Sequence, residues 1–142
     1  MKIFQDVQNL TISVVRIYPD VMTVYLENSF VGNILKEAGF ARPPGQRLSD
    51  RETKNQIQIE VGRENIFEAD ADVIFVWDWE TSEAAKRKTQ KQIQALRADP
   101  LWQHLKAVQN GRVYQVPGYW IGSGLIAAHG VVDDLSKFLL EK

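Results

Sequence analysis

Three stretches of the chain are apolar at nearly every position, and each is bounded by charged or turn-forming residues. Leu10 to Tyr18 reads LTISVVRIY, Val21 to Leu26 reads VMTVYL, and Asp72 to Trp77 reads DVIFVW. Short, continuous, β-branched runs of this kind predict strands, and the first and third have the character of strands buried on both faces. Pro19-Asp20 turns the chain between the first two, which makes VMTVYL an edge hairpin partner of the first. Asn28 or Ser29 then caps a helix in which Phe30, Ile34 and Ala38 stack four apart, flanked by Val31 and Leu35, and Gly39 ends it.

The second half continues the alternation. Ile57 to Val61 predicts a short strand and Arg63 to Ala69 a short helix. Thr81 or Ser82 caps a helix to about Arg97, whose apolar positions are only Ala84, Ala85, Ile93, Ala95 and Leu96, so it lies on the solvated outside. Asp99-Pro100 starts another helix, carrying Leu101, Trp102, Leu105 and Val108. Asn110-Gly111 closes that helix into a strand from Arg112 to Val116. The last helix runs from Gly122 to Leu140 with Leu125, Ala128, Val132, Leu135 and Leu139 on one stripe. Strands that alternate with helices predict an α/β fold: an open, mostly parallel sheet with helices on both faces, a Rossmann-like single lobe in three layers. The segment from Ala41 to Asn55 is polar, holds two prolines and a glycine, and predicts a disordered loop. It is too short to separate folding units, so residues 1–142 read as one α/β domain.

Composition adds mainly exclusions. Seventeen basic against eighteen acidic residues, with Lys86-Arg87-Lys88 the only basic run, do not suggest a nucleic-acid binder. No cysteine is present, which removes disulfides, thiol catalysis and thiolate metal sites. Met1 to Asp6 is too short and polar for a signal peptide, so the chain as written predicts a cytoplasmic location. No G-x-G-x-x-G, P-loop or G-x-S-x-G pattern occurs, and both histidines, His104 and His129, fall inside predicted helices. Glu68, Asp70 and Asp72 form an acidic cluster, but it leads into a strand at its amino end. Ligands of open α/β sheets bind beyond the carboxyl ends, so the cluster reads as a solvated turn.

The carboxyl ends of the strands carry the candidate site. The first strand ends at Arg16 and Tyr18, the next strong strand at Trp77 and Trp79, and the third leads into Tyr119 and Trp120. One cation and five aromatic rings thus gather at one edge, a set suited to a planar, negatively charged ligand through stacking and charge-assisted hydrogen bonds. The alternatives are that Trp77 and Trp120 roof the core and that Arg16 pairs with an acidic neighbour. No metal-ligand cluster and no cofactor motif is found.

Taken in order, SVVRI, NSFVGNILKEAGFARPPGQ, ENIFEADADVIFV, DPLWQHLKAVQNGRVYQV, the Tyr119-Trp120 pair and a terminal helix containing VVDDL resemble the C-terminal lobe of a periplasmic substrate-binding protein. The class resembled feeds ferric siderophores, haem and cobalamin to ABC importers. The resemblance implies a receptor without enzyme activity, periplasmic, binding a small iron chelate between two lobes, with no cofactor and no protein ligands to the iron. It fits Arg16, Trp77 and Trp120 to positions that face the ligand, beside the strand-end candidates Tyr18, Trp79 and Tyr119, and a cation such as Arg16 favours an anionic ligand, a ferric siderophore over haem or cobalamin. It places Glu64, with Glu60 as the fallback, against the ABC permease in the inner membrane. The first lobe is absent, along with the joining helix except for a possible remnant in Lys2 to Leu10, so the exposed face could pair two copies as a homodimer. Two other readings stay open. A small cytosolic flavodoxin-like enzyme would need a phosphate-cradling loop, which Pro19-Asp20-Val21-Met22 lacks the glycine to form. A stand-alone interaction module would fold, self-associate and bind no ligand.

Overall fold

The structure, a computed structural model, describes residues 7, 9–43, 46, 57–116 and 125–140. The continuous apolar runs lie at the centre of the sheet. Strands β1 (Ile12–Ile17), β2 (Met22–Tyr25), β3 (Gln58–Val61), β4 (Val73–Trp77) and β5 (Val113–Gln115) form one five-stranded sheet in the order β3-β2-β1-β4-β5. β1 pairs parallel with β4, Ile12 with Val73 through Arg16 with Trp77, and β4 pairs parallel with β5. β1–β2 and β2–β3 are antiparallel. β1, β3, β4 and β5 therefore run the same way and only β2 is reversed, as its hairpin with β1 requires. The sheet is open and mostly parallel, as the sequence predicts.

Alternation along β1 sends side chains to two cores. Val14, Tyr25, Phe75 and Trp77 face α1 (Phe30–Glu37) and α5 (Leu125–Leu139), whose Leu35, Val131 and Leu135 are fully buried. Val15, Ile17, Val24 and Ile74 face a 3-10 helix (Arg63–Ala69) and the helices α2 (Glu83–Ala98), α3 (Pro100–Gln103) and α4 (Lys106–Gln109). Among the described residues, no helix is long and apolar enough to cross a membrane.

Ser29 caps α1: its Oγ accepts from Gly32 N at 3.0 Å and donates to the Leu26 carbonyl at 2.7 Å. The cap brings the helix so close to the preceding turn that a Cβ on Gly32 would lie 2.2 Å from the Leu26 carbonyl oxygen and 2.7 Å from that of Glu27. Neither backbone oxygen can swing aside. Gly32→Ala is therefore expected to lower stability by about 3 kcal/mol, the upper range for overpacking, read as a shift in the urea midpoint; an unshifted midpoint would show that the turn gives way.

Four expectations change. β2, expected at the edge of the sheet, lies inside it, because β3 pairs along its outer side. The helix expected to run on from Asp99 breaks at His104–Leu105, where Leu105 turns extended (φ −63°, ψ 142°). The cause lies outside the helix: the Asp70 carboxylate accepts from Lys106 N at 2.8 Å and Ala107 N at 3.3 Å, and so starts a new helical turn there. Asp70 and Asp72 are accordingly clamps rather than a merely solvated turn. Asp72 accepts from Thr11 N at 2.9 Å and Thr11 Oγ1 at 3.1 Å, and pairs with Lys106. The loop expected from Ala41 falls mostly outside the described residues, as does the possible joining-helix remnant. Its described part contains a buried network. Arg42 donates to the Tyr25 carbonyl and to Gln46 Oε1, while Gln46 Nε2 donates to Ser13 Oγ at 3.0 Å and the Glu68 carbonyl at 2.8 Å. Burial pulls the Arg42 guanidinium down to about 10.

The bond from Lys106, then those from Thr11, holds the Asp72 carboxyl below its ordinary value. A depressed folded-state value means that the clamp contributes above the unfolded pKa and is lost as pH falls through the folded one. Asp72→Asn should cost about 1 kcal/mol at neutral pH. The gap between the two urea midpoints should close as pH falls below about 4; a gap independent of pH would remove the charge from the explanation.

Candidate functional site

Parallel pairing sets Arg16, near the end of β1, beside Trp77, the last residue of β4. Two residues on, Tyr18 N bonds the Val21 carbonyl at 2.8 Å across the Pro19–Asp20 turn, and this fixes the start of the hairpin. The Arg16 guanidinium carbon then lies 4.1 Å from the Tyr18 ring centroid and 4.6 Å from that of Trp77. Its Nη2 donates to the Trp79 carbonyl at 3.3 Å. Cation–π contacts of this kind contribute roughly 0.5–2 kcal/mol each, more where water is excluded.

The expected residues divide by position. Arg16 and Tyr18 are half-buried, and the Trp79 side chain stands out from the surface, 56% exposed. Trp77 is 0% exposed and offers no surface to a ligand. It roofs the core, as the alternative sequence reading has it, because its β4 position turns it inward between Tyr25 and Phe75. Its place in the site is as the floor beneath Arg16. Tyr119 and Trp120 lie outside the described residues.

One contributor escaped the sequence reading. Tyr25 stacks on Trp77 with centroids 5.8 Å apart and planes 23° apart. Its hydroxyl faces Arg16 and Tyr18. Burial pushes this phenol above its ordinary value, and Arg16 opposes that shift. Tyr25 sits in an apolar strand without motif; the only signal was the hairpin register, which puts Thr23 and Tyr25 on the face of Arg16.

Among the described residues no carboxylate pairs with Arg16, and its enclosed Nε has no hydrogen-bond partner. The alternative of an acidic neighbour thus finds no support there. The geometry is that of a fixed cation on aromatic faces, able to take an anion's oxygens. No group of His, Cys, Asp or Glu among the described residues could hold a metal ion. His104 Nδ1 is held 2.6 Å from the Pro100 carbonyl oxygen, and His129 is exposed on α5.

Glu64 lies in the first turn of the 3-10 helix, exposed and without an ion-pair partner among the described residues. Beside it, Arg63 pairs with Asp99 at 2.7 Å. Glu60 is exposed on β3.

Comparison with known proteins agrees with this fold. Residues 5–119 match the family model described as periplasmic binding protein. The chain is 31% identical over 139 residues to the probable siderophore-binding lipoprotein YfiY of Bacillus subtilis (strain 168), covering 96% of this chain and 42% of the relative. It is 28% identical over 130 residues to the achromobactin-binding periplasmic protein of Dickeya dadantii, covering 89% of this chain and 40% of that protein. Among solved structures, Staphylococcus aureus SirA complexed with staphyloferrin B superposes with a TM-score of 0.82 at 25% identity, over 96% of this chain and 47% of that one. The chain thus spans less than half the length of these relatives. By its sequence match and its fold, it belongs to the periplasmic binding protein family.

Proposed function

We propose that this chain is the C-terminal lobe of a substrate-binding protein that delivers ferric siderophores to an ABC importer. The observation that carries the proposal is Arg16: a guanidinium held on the Tyr18 and Trp77 rings, without a carboxylate partner among the described residues, at the edge where β1 and β4 end. Relatives named for siderophore binding support the ligand class. A siderophore wraps its iron, so the protein needs to recognise only the outer, negatively charged oxygens. Arg16 supplies the charge-assisted donors, while Tyr18 and the exposed Trp79 ring, together with Tyr119 and Trp120, flank the ligand. Trp77 and Tyr25 keep the guanidinium in place without touching the ligand. Such a protein performs no covalent chemistry and is not an enzyme. Its relatives are named as a lipoprotein and a periplasmic protein, which supports a site of action outside the cytoplasm.

Glu64 is the proposed contact with the permease, since an exposed carboxylate at a helix start suits a basic pocket on a partner. Uptake of iron-55 as its ferric siderophore tests both parts in source cells. Deleting the gene should abolish uptake of one siderophore, and the native gene should restore it. The Glu64→Arg gene should restore about a tenth or less, with the purified protein still binding the siderophore. Unchanged uptake after deletion would contradict the transport reading.

A further inference from the structure

Five of the chain's seventeen basic residues, Lys86, Arg87, Lys88, Lys91 and Arg97, fall in the sixteen residues of α2, which hold one carboxylate, Glu83. All five are exposed. Glu83 pairs with Lys86 at 3.4 Å, and Arg87, Lys88, Lys91 and Arg97 have no ion-pair partner among the described residues. Thr89 and Ile93 turn to the sheet, so Arg87 and Lys91, one turn apart, point away from it, with Lys88 alongside. Helix stability does not call for this run. A solvated helix alternates its charges, and Lys86, Arg87 and Lys88 lie towards the positive end of the dipole, which gives cations no support. The exposed apolar residues of α2 are only Ala84, Ala95 and Ala98. The face is thus cationic and without a large apolar side chain, on a chain whose net charge is −1.

We infer that the face of α2 formed by Arg87, Lys88 and Lys91 rests on anionic lipid headgroups of the membrane that holds the importer. β4 ends at Trp77 and α2 starts at Glu83, so the basic half of the helix stands at the carboxyl edge of the sheet. β3 runs parallel to β1 and ends at Val61, so Glu64 stands at the same edge. The inference takes its setting from the transport reading: a lobe docked through Glu64 turns this edge toward the membrane and brings α2 over the lipid beside the importer. Headgroup phosphates are the extended anionic surface there, and charge complementarity selects anionic over zwitterionic lipid. With no large apolar side chain on the face, nothing enters the acyl layer. The contact is electrostatic, shallow and released by salt. Each cation near such a surface strengthens binding about fivefold, so the face orients a lobe already at the membrane rather than anchoring it.

Co-sedimentation of the complete protein, free of any acyl anchor, with vesicles of phosphatidylglycerol and phosphatidylcholine is the test. The native protein should bind them at low salt, bind pure phosphatidylcholine vesicles about thirtyfold less or weaker still, and leave the anionic vesicles at about 1 M salt. The triple variant Arg87→Gln, Lys88→Gln, Lys91→Gln should lose about thirtyfold or more, with a native thermal midpoint, because glutamine forms helix about as well as arginine and lysine. The double variant Lys36→Gln, Lys137→Gln removes exposed cations from α1 and α5, in the layer on the other side of the sheet, and should bind as native. Native binding by the triple variant, equal binding to both kinds of vesicle, or a comparable loss per charge in the double variant would overturn the inference. So would weaker binding of the triple variant to the importer in phosphatidylcholine nanodiscs, which would assign the face to the importer protein. Siderophore affinity separates the two levels. Native affinity without vesicle binding fells the lipid contact and leaves the transport reading standing. Vesicle binding through α2 by a protein that takes no ferric siderophore fells the transport reading and leaves the lipid contact standing.

Discussion

Trp77→Ala is expected to lower stability by about 3–5 kcal/mol, the range for removing a buried tryptophan. The indole has no exposed surface, stacks on Tyr25 and lies against Phe75 in the core shared with α1 and α5. Those helices are fixed by their own buried residues and cannot close the cavity left behind. The indole Nε1 has no hydrogen-bond partner among the described residues, so Trp77→Phe loses volume but no bond there. It should cost much less than alanine, about 1–2 kcal/mol. Urea unfolding of the two variants checks the ordering. The same substitution has a second consequence. Arg16 rests 4.6 Å above the Trp77 ring, so in the fraction that still folds, alanine frees the guanidinium on one side and siderophore affinity falls. A loss of stability below about 1 kcal/mol would show that Trp77 is not the floor of the site.

Arg16→Ala is expected to have the reverse profile: a small change in folding and a large one in binding. Folding loses one 3.3 Å bond to the Trp79 carbonyl and two partly solvated ring contacts, about 1 kcal/mol net. Binding loses the charge that faces the anion. Truncating one member of a buried charge pair costs roughly 2–5 kcal/mol, a drop in affinity of about thirtyfold or more. Arg16→Lys should recover only part of this, because an ammonium neither lies flat on two rings nor presents a planar fork of donors. Titration of each variant with the ferric siderophore is the check. Native affinity in Arg16→Ala would remove Arg16 from the site.

Much of the architecture was legible because its signals are local. The continuous apolar runs of β1 and β4, the Ser29 and Ser82 caps and the positive-φ Gly39 each state their own element. What escaped depends on contacts between distant residues. The break before α4 is made by Asp70, thirty-six residues earlier in the chain than Lys106. Arg42 and Gln46 look like loop residues by composition and become buried only through Tyr25, Ser13 and Glu68. The site shows the same division. The strand-end rule groups Arg16, Tyr18 and Trp79, which the structure sets side by side, because it needs only strand ends. It could not decide that Trp77 turns inward, nor that Tyr25 joins it, because both follow from strand pairing and register.

The measurement that reaches the central claim most directly is a fluorescence titration of the complete protein, as its gene encodes it, with ferric siderophores, ferric staphyloferrin B and ferric achromobactin among them. Aromatic residues surround Arg16, so a coloured iron chelate bound there must quench their emission. The account predicts saturable one-to-one quenching by at least one ferric siderophore, much weaker quenching by its iron-free form, and the loss of both in Arg16→Ala. Quenching by none of them, or equal quenching in the native protein and in Arg16→Ala, would contradict it.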